Sequence, residues 1–482
     1  MIESATGSGK TLCYLLPILQ KLADRQNKVH RGQGTLALIL CPTRELCLQV
    51  LDTATVISRR FAWIVPGSIH GGENRAKEKA RLRKGINVLI ATPGRLLDHL
   101  TNTASFRISD LEYLILDEAD RLLDLGFKKQ IRSIVDIVKE RASAVVRCQH
   151  LLLSATLEGE VLDLLCMQMQ NPEIIKPNLL KVKHLQGDSS DCMTSFVDIP
   201  EQLMQNYLVV PCKLRLVALF AVLQQHIQTH QLAKILVFLS NCDSVDFHHA
   251  FLREEWEQCI NSSMKKTGKD SNLIRPGRCP LILRMHGNMP QIDRTRALIS
   301  FTKTTSGIMF ATDVASRGLD FPEISMIVQY DPPSSVEEYV HRVGRTARLG
   351  KKGQATLFIQ PSECGFVNYL HTTCGLQSLE KRSASSALDT SFGKDPKAGQ
   401  SLPLEFHRGA NIASQNLKVS LQNKKETTSL AENAFVSSVR AYATHSHQLK
   451  QFFSLKSLHL GHYANAFALK CVYLQQHSDC DS

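Results

Sequence analysis

Over roughly the first 180 residues, short apolar runs alternate with longer stretches of helical periodicity. Leu36–Cys41, Val88–Ala91, Tyr113–Leu116 and His150–Leu153 are apolar at every position or nearly so, as strands covered on both faces of a parallel sheet are. The stretch Thr11 to Leu22 carries Leu12, Leu15, Leu16 and Leu19 at helical spacing, which predicts an amphipathic helix. A second series of strands is expected at Ile235–Leu239, Leu281–Met285, Gly307–Ala311, Met326–Tyr330 and Ala355–Ile359. Strands alternating with helices in this way predict parallel α/β units.

Between and beyond the two series the pattern changes. It loosens after Asn171-Pro172, and Gly187 to Asp191 reads as a polar linker. The basic, Gly- and Pro-bearing stretch Asn261 to Pro280 reads as a surface insertion. Lys381 to Gln400 is rich in Ser, Lys and Gly, whereas Leu430 to Leu469 becomes periodic, with Phe435, Val439 and Tyr442 at i, i+4 and i+7. The expected organisation is an α/β domain over 1–180, a linker over 181–200, a second α/β domain over 201–362, a low-order linker over 363–429, a helical module over 430–470 and a tail over 471–482.

Each strand of the first series runs straight into a polar or glycine-bearing group: Pro42 to Leu46, Thr92 to Arg95, Asp117 to Asp120 and Ser154 to Thr156. Open α/β sheets bind ligands at the carboxyl ends of their strands, so these groups are the candidate site. A net charge of +12 favours a polyanionic partner such as nucleic acid. The 14 cysteines form no C-x-x-C pair, and no apolar run approaches the length of a membrane span, so a soluble protein of a reducing intracellular compartment is expected.

Ser4-Ala5-Thr6-Gly7-Ser8-Gly9-Lys10-Thr11 then supplies a chemistry. Backbone N–H groups of such a loop cradle nucleotide phosphates, the lysine reaches the outer phosphates and the threonine hydroxyl binds Mg²⁺. The generic pattern has glycine where this chain has Ser4, and a Gly/Ser turn before an amphipathic helix is the plainer alternative. Asp117-Glu118 closes a strand, where an aspartate holds Mg²⁺ and the adjacent glutamate activates water; a helix cap is the alternative there. His341 to Arg348 contains three arginines, and on a helix Arg345 and Arg348 share a face from which arginine fingers reach a γ-phosphate.

Taken in order, Ser4–Thr11, Pro42–Leu46, Gly71-Gly72, Thr92–Arg95, Asp117–Asp120, Ser154–Thr156, Leu236–Asn241, Ala311–Asp320 and His341–Arg348 make the chain resemble a DEAD-box ATP-dependent RNA helicase. Leu46-Cys47-Leu48-Gln49-Val50, Ala76 to Gly85 and Ile199 to Leu203 are similar to the group of DEAD-box RNA helicases 17 and 31. The resemblance covers about Ser4 to Pro361 and implies two tandem RecA-like domains followed by a helical C-terminal extension. It implies ATP bound by Thr6, Gly7, Ser8, Gly9, Lys10, Thr11, Gly318 and Asp320, with Mg²⁺ held by Thr11 and Asp117. Catalysis falls to Lys10, Glu118, Arg345 and Arg348. Asp120, Ser154, Thr156 and His341 would couple hydrolysis to strand separation by exchanging hydrogen bonds.

The same resemblance places RNA on Pro42, Thr43, Arg44, Gly71, Gly72, Thr92, Gly94 and Arg95 in the first domain, and on Gln291, Arg294, Thr312 and Asp313 in the second. Such residues bind phosphate and sugar rather than base edges, so binding largely independent of sequence is expected. Ser316 stands where the family usually has alanine, a change expected to be tolerated. The family also carries an adenine-recognition segment and a first strand upstream of the phosphate loop; the expectation is of a chain lacking both, with ATP selectivity weakened. Asn433 to Tyr442, Leu455 to Leu460 and His462 are similar to a tail of nucleolar helicases, which implies pre-ribosomal RNA and particles as partners, large-subunit assembly as the setting, and the nucleus and nucleolus as the location. No membrane partner is expected, and the chain is expected to act as a monomer. A non-catalytic RNA-binding or assembly factor is the other reading. His459-x-x-His462 has no third ligand nearby and is not read as a metal site.

Overall fold

The structure, a computed structural model, describes residues 2–3, 9–141, 148–154, 161, 172–175, 202–230, 232–264, 280–316, 321, 324–347, 351–374, 379–392, 404, 407–446 and 448–470. The chain divides into two units, the first within 1–192 and the second taking in 193–316 and 321–482.

In the first unit the elements run β1 (Ile2–Glu3), α1 (Lys10–Ala23), β2 (Ala37–Leu40), α2 (Arg44–Ser58), β3 (Pro66–Ile69), α3 (Arg75–Lys84), β4 (Val88–Ala91), α4 (Pro93–Asn102), β5 (Tyr113–Leu116), α5 (Ala119–Asp124), α6 (Lys128–Arg141) and β6 (Gln149–Ser154). The sheet is parallel in the order β1-β6-β5-β2-β4-β3. All four expected strands are present. The expected loss of the first strand is corrected: Ile2 pairs with Leu153 and Glu3 with Ser154, because two residues of backbone are enough to pair with the end of β6. The edge strand β3 escapes sequence reading, since Pro66 and Gly67 lie within it and proline belongs at sheet edges. One core forms on each face of this sheet. Leu38, Leu40, Leu114 and Leu116 pack toward α4 and α6, and Ile39, Cys41 and Ile115 toward α1 and α2. The stripe of α1 is Tyr14, Leu15, Ile18, Leu19 and Leu22, while Leu12 and Leu16, expected inside, are exposed.

The second unit runs β7 (Leu203–Val209), α7 (Arg215–Thr229), β8 (Lys234–Phe238), α8 (Cys242–Met264), β9 (Leu281–Met285), α9 (Gln291–Lys303), β10 (Gly307–Ala311), β11 (Met326–Gln329), α10 (Val336–Val343), β12 (Gly353–Ile359), α11 (Cys364–Cys374), β13 (Leu379–Arg382), α12 (Ala384–Phe392), α13 (Arg408–Gln422), α14 (Lys425–Ala443) and α15 (Leu460–Ala464). Its sheet is parallel in the order β13-β7-β12-β11-β8-β10-β9. Residues 363–429, expected as a low-order linker, instead carry α11, β13, α12 and α13, and β13 pairs with β7. The linker around 187–191 and most of the 261–280 insertion lie outside the described residues.

The C-terminal helix α14 buries Thr427, Ala431, Ala434, Phe435, Ser438 and Tyr442, so the expected stripe holds at Phe435 and Tyr442 and is centred on Ser438 rather than Val439. It lies along α8. The Ser438 hydroxyl accepts from Asn241 Nδ2 at 2.9 Å and shares a hydrogen bond with Ser244 Oγ at 2.7 Å. Tyr442 donates to Glu363 Oε1 at 2.6 Å. No described helix is long and apolar enough to cross a membrane.

Candidate nucleotide and RNA site

In the first unit α1 starts on Gly9 at φ 87°, a left-handed conformation that glycine adopts without a steric cost. That turn sets Lys10 as the first helical residue, with its side chain largely buried. One turn on, the Tyr14 hydroxyl donates to Asp117 Oδ2 at 2.8 Å and interacts with the Thr11 hydroxyl. Lys10, Thr11, Tyr14 and Asp117 thus converge where α1 begins and β5 ends. Burial raises the Asp117 carboxyl, opposed by the Lys10 charge and by the hydrogen bond from Tyr14.

Glu118 follows at φ 50°, ψ 58° as the N-cap of α5. A left-handed glutamate costs roughly 1–2 kcal/mol, and such strain gathers at working sites. Asp120 is buried in the first turn of α5, and Ser154 is fully buried at the end of β6. Thr6, Gly7, Ser8, Thr156, Gly318, Asp320 and Arg348 lie outside the described residues. The oxygen donors Thr11 and Asp117 suit Mg²⁺, which takes one or two carboxylates together with phosphate oxygens. No group of three or more His, Cys, Asp or Glu side chains that could hold a metal ion occurs among the described residues, and His459 and His462 stack on one another while His459 Nδ1 accepts from the His462 amide.

Three further segments follow β2, β3 and β4, which are neighbours in the sheet. Thr43 caps α2, its hydroxyl accepting from the Leu46 amide at 3.3 Å, and it leaves Pro42 buried behind and Arg44 ahead. A Cβ added at Gly71 would come within 2.8 Å of Arg44 Nη2, so that glycine gives the guanidinium its place. Gly72 has φ 88°. Thr92 precedes Pro93 at the start of α4, Gly94 faces open space, and Arg95 is half-buried.

Arg95 is held by a residue that sequence reasoning passed over. Glu78 in α3 is completely buried and accepts from Arg95 Nη1 at 2.7 Å and from the His70 amide at 2.9 Å, with His99 Nε2 at 3.1 Å. A buried charge is tolerated only when paired, and here the pairing ties β3, α3 and α4 together beneath the candidate RNA segments. Within the run Arg75 to Lys84, Glu78 reads as one more surface charge.

In the second unit Gln291 and Arg294 occupy the first turn of α9, just after β9, and Thr312-Asp313 follows the adjacent strand β10. Arg342, fully buried, donates from Nε and Nη2 to the two Asp313 oxygens at 2.6 and 2.8 Å and from Nη1 to the Asp331 carbonyl at 2.8 Å. Asp331 in turn accepts from Arg215 at 2.9 Å and from the amide and hydroxyl of Ser240, each at 3.0 Å. The Asp313 carboxylate is therefore committed to Arg342. The helix bearing His341 ends at Val343, so Arg345 stands just past the helix rather than on its face, with its Nε donating to the His341 carbonyl at 3.3 Å. Ser316 is buried and its hydroxyl donates to the Asp313 carbonyl at 2.8 Å, so a serine fits here without an orphaned polar group.

Two parallel units, one opening on a phosphate-loop lysine beside a strand-end aspartate and both carrying their functional segments at the carboxyl ends of strands, define the class of two-domain nucleotide-dependent helicases. The chain belongs to the DEAD-box ATP-dependent RNA helicase family: "DEAD/DEAH box helicase" matches residues 1–165 and "Helicase conserved C-terminal domain" matches 218–350. Residues 424–472 match the "ATP-dependent rRNA helicase SPB4-like, C-terminal extension". DEAD-box ATP-dependent RNA helicase 17 of Oryza sativa is 42% identical, over 98% of this chain and 83% of that protein. Human ATP-dependent DNA helicase DDX31 is 39% identical over 98% of this chain and 56% of that protein, and dbp7 of Schizosaccharomyces pombe is 37% identical over 97% and 67%. Among solved structures, Mss116 bound to single-stranded RNA and UDP-BeF has a TM-score of 0.75 at 24% identity, over all of this chain and 86% of that one; at that identity it shows the shared fold.

Proposed function

We propose that the chain is an RNA-stimulated ATPase that remodels short RNA duplexes, acting in the nucleolus on pre-ribosomal RNA during large-subunit assembly. The observation that carries the reading is the convergence of Lys10, Thr11, Tyr14 and Asp117 at the start of α1, with Glu118 next in the chain. Lys10 meets the outer phosphates of ATP as a fixed cation. Thr11 and Asp117 would hold Mg²⁺, which when bound neutralises charge on the transferring phosphoryl group. Glu118, aimed by its left-handed backbone, orients the attacking water and takes its proton. Arg345 and Arg348 supply charge to the γ-phosphate from the second unit. Asp120, Ser154, Thr156 and His341 couple turnover to strand release.

RNA lies along Pro42 to Arg44, Gly71-Gly72, Thr92, Gly94 and Arg95 of the first unit and along Gln291, Arg294 and Thr312-Asp313 of the second. Since the Asp313 carboxylate is engaged by Arg342, that segment meets RNA through its backbone and the Thr312 hydroxyl. The match to the rRNA helicase SPB4-like extension supports the ribosomal setting. The name of the human relative raises DNA as the other polymer. The test is ATP turnover by the purified chain and its Glu118→Gln variant, with RNA or with DNA of matched sequence. RNA-dependent turnover abolished in the variant supports the reading. Equal turnover in the variant sinks the enzymatic role and leaves a binding factor, and stimulation by DNA alone overturns the choice of polymer.

A further inference from the structure

Cys242 is the first residue of α8, and the side chains beside it form a relay. His286 stands just after β9 and is 4% exposed. Its Nε2 meets Asp246 Oδ1 at 2.9 Å, and Arg284 Nη1 donates to the same oxygen at 2.5 Å. The other ring nitrogen, Nδ1, is buried and makes no well-formed hydrogen bond. Besides Asp246, the group that interacts with this ring is the Cys242 thiol. With Nε2 committed to Asp246, Nδ1 is the nitrogen left to take the thiol proton. The three side chains are not placed to hold a metal ion together.

Hydrogen bonding with His286 holds the Cys242 thiol below its ordinary value near 9, against the effect of partial burial, and the backbone at Asn288 and Gly287 pulls the same way. Its place at a helix N-terminus adds to this, since unpaired amides there favour a thiolate. Burial disfavours the His286 cation, but Asp246 and Cys242 push the ring up to about 9. At neutral pH the two groups therefore stand as thiolate and imidazolium. The neighbouring His249 is pushed down to about 4, chiefly by burial, which leaves Arg284 and Asp246 as the other charges. Elsewhere burial pushes the Cys148 thiol up to about 11 and that of Cys212 up to about 12. Cys242 is a free, half-buried thiol. Gly287 and Asn288 beside it are exposed, and a Cβ added at Gly287 would meet nothing within 4 Å, so a small molecule has room to approach.

We propose that Cys242 is a thiol-modification site that accepts glutathione as a mixed disulfide, with His286 taking its proton and Asp246 orienting His286. The Cys242 sulfur attacks one sulfur of glutathione disulfide. A new S–S bond forms to Cys242, the S–S bond of glutathione disulfide breaks, and the departing glutathione thiolate takes the proton held on His286. Glutathione disulfide is the only oxidant required. Such exchange is governed by the thiolate fraction and by access, and both favour Cys242 over the buried thiols. The adduct fills the open space beside Gly287, on the loop that leads into α9. Its consequence rests on the proposed function: there that loop and the first turn of α9 meet RNA, so the modified chain binds RNA more weakly until the disulfide is reduced.

The full chain and its Cys242→Ser, Cys242→Ala and His286→Gln variants are treated with glutathione disulfide over a pH series. Modified cysteines are mapped and timed by mass spectrometry, and RNA binding of the treated proteins is read by fluorescence anisotropy. At pH 7 Cys242 is expected to react about tenfold faster than the exposed Cys13 and Cys364. Its rate is expected to level off at a pH below the ordinary thiol range. His286→Gln keeps a donor toward Asp246 but has no basic nitrogen. Its Cys242 is expected to react about tenfold more slowly at pH 7 and to level off at higher pH. The pH profile of the parent tests the relay even where that variant fails to fold. The treated parent is expected to bind RNA several-fold more weakly and to recover with dithiothreitol, while treated Cys242→Ser and Cys242→Ala keep the affinity of the untreated proteins. Cys242 reacting no faster than Cys13 and Cys364 overturns the site, and a folded His286→Gln matching the parent at every pH overturns the relay. Fast modification with RNA affinity unaltered overturns the control of binding. Fast modification of a chain that binds no RNA supports the thiol site and sinks the proposed function; slow modification of a chain with RNA-stimulated ATPase sinks the thiol site alone.

Discussion

The Tyr14 hydroxyl donates to Asp117 Oδ2 across the gap between α1 and the end of β5, so the helix that begins at Lys10 and the strand that ends at the acidic pair are locked in register by one buried hydrogen bond. Tyr14→Phe removes the donor and leaves the carboxylate short of a partner, which is expected to cost about 1–3 kcal/mol. Burial already raises the Asp117 carboxyl, and losing the donor raises it further. A carboxyl raised in the folded state contributes stability below its ordinary value and loses it as pH rises through the raised one. The variant's deficit is therefore expected to grow as pH rises above the ordinary carboxyl range, as read by urea denaturation; a deficit independent of pH would count against the link.

Glu118 sits at φ 50°, where a side chain costs roughly 1–2 kcal/mol that glycine does not. Glu118→Gly is expected to be more stable than Glu118→Gln by about 1 kcal/mol, with neither variant turning over ATP. Paired thermal and urea melts check this. Equal stability of the two variants would mean that the backbone there is not strained.

How far the chain declares itself varies with where the signal sits. Every strand that is apolar along its length is legible, as are the polar groups at the ends of β2, β4, β5 and β6. The strand β7 is not, because Gln205 and Asn206 interrupt it; both are buried, satisfied by Tyr339 and Thr356 from more than a hundred residues away. The helix α13 hides because its inner face is built on Ala410 and Ala413 as much as on Leu417 and Leu421, so its apolar stripe barely stands out. Tyr14, Glu78 and Arg342 belong to the site through contacts that span tertiary structure, and a local pattern cannot show them. Lys10, Asp117 and Glu118 stand out as candidates in the sequence because phosphate chemistry would fix their type and spacing.

The buried hub at Glu78 separates stability from positioning. Glu78→Ala leaves Arg95 and His99 with no carboxylate beneath them, and breaking a buried pair in this way costs about 3–5 kcal/mol. Glu78→Gln keeps the shape but loosens Arg95. It is expected to fold and to bind RNA several-fold more weakly, with unchanged affinity for ATP. Anisotropy with labelled RNA and nucleotide titration distinguish the two effects. RNA affinity unaltered in Glu78→Gln would show that Arg95 needs no such support.

The bidentate pair of Arg342 and Asp313 gives the second unit a pH dependence of its own. Asp313 also hydrogen-bonds Glu338, which accepts from the Ser334 amide and hydroxyl. Two buried carboxyls facing one guanidinium cannot both ionise freely, and the pair titrates as a unit. Its upper ionisation, assigned to Asp313, is pushed up to about 7, chiefly by burial and against the pull of Arg342. A raised carboxyl stabilises the folded state fully below its ordinary value near 3.8. That contribution is lost as pH rises through about 7. With Trp63→Phe, Trp256 of α8 is the sole remaining indole and reports unfolding of the second unit. Its urea midpoint is expected to fall between pH 6 and pH 8 more steeply than that of Asp313→Asn, which has no proton to lose at this position. Arg342→Met removes the cation, leaves the acids buried without it, and is expected to destabilise this unit by about 3–5 kcal/mol at pH 8 and less at pH 5. The same slope in Asp313→Asn as in the parent would show that other groups titrate there.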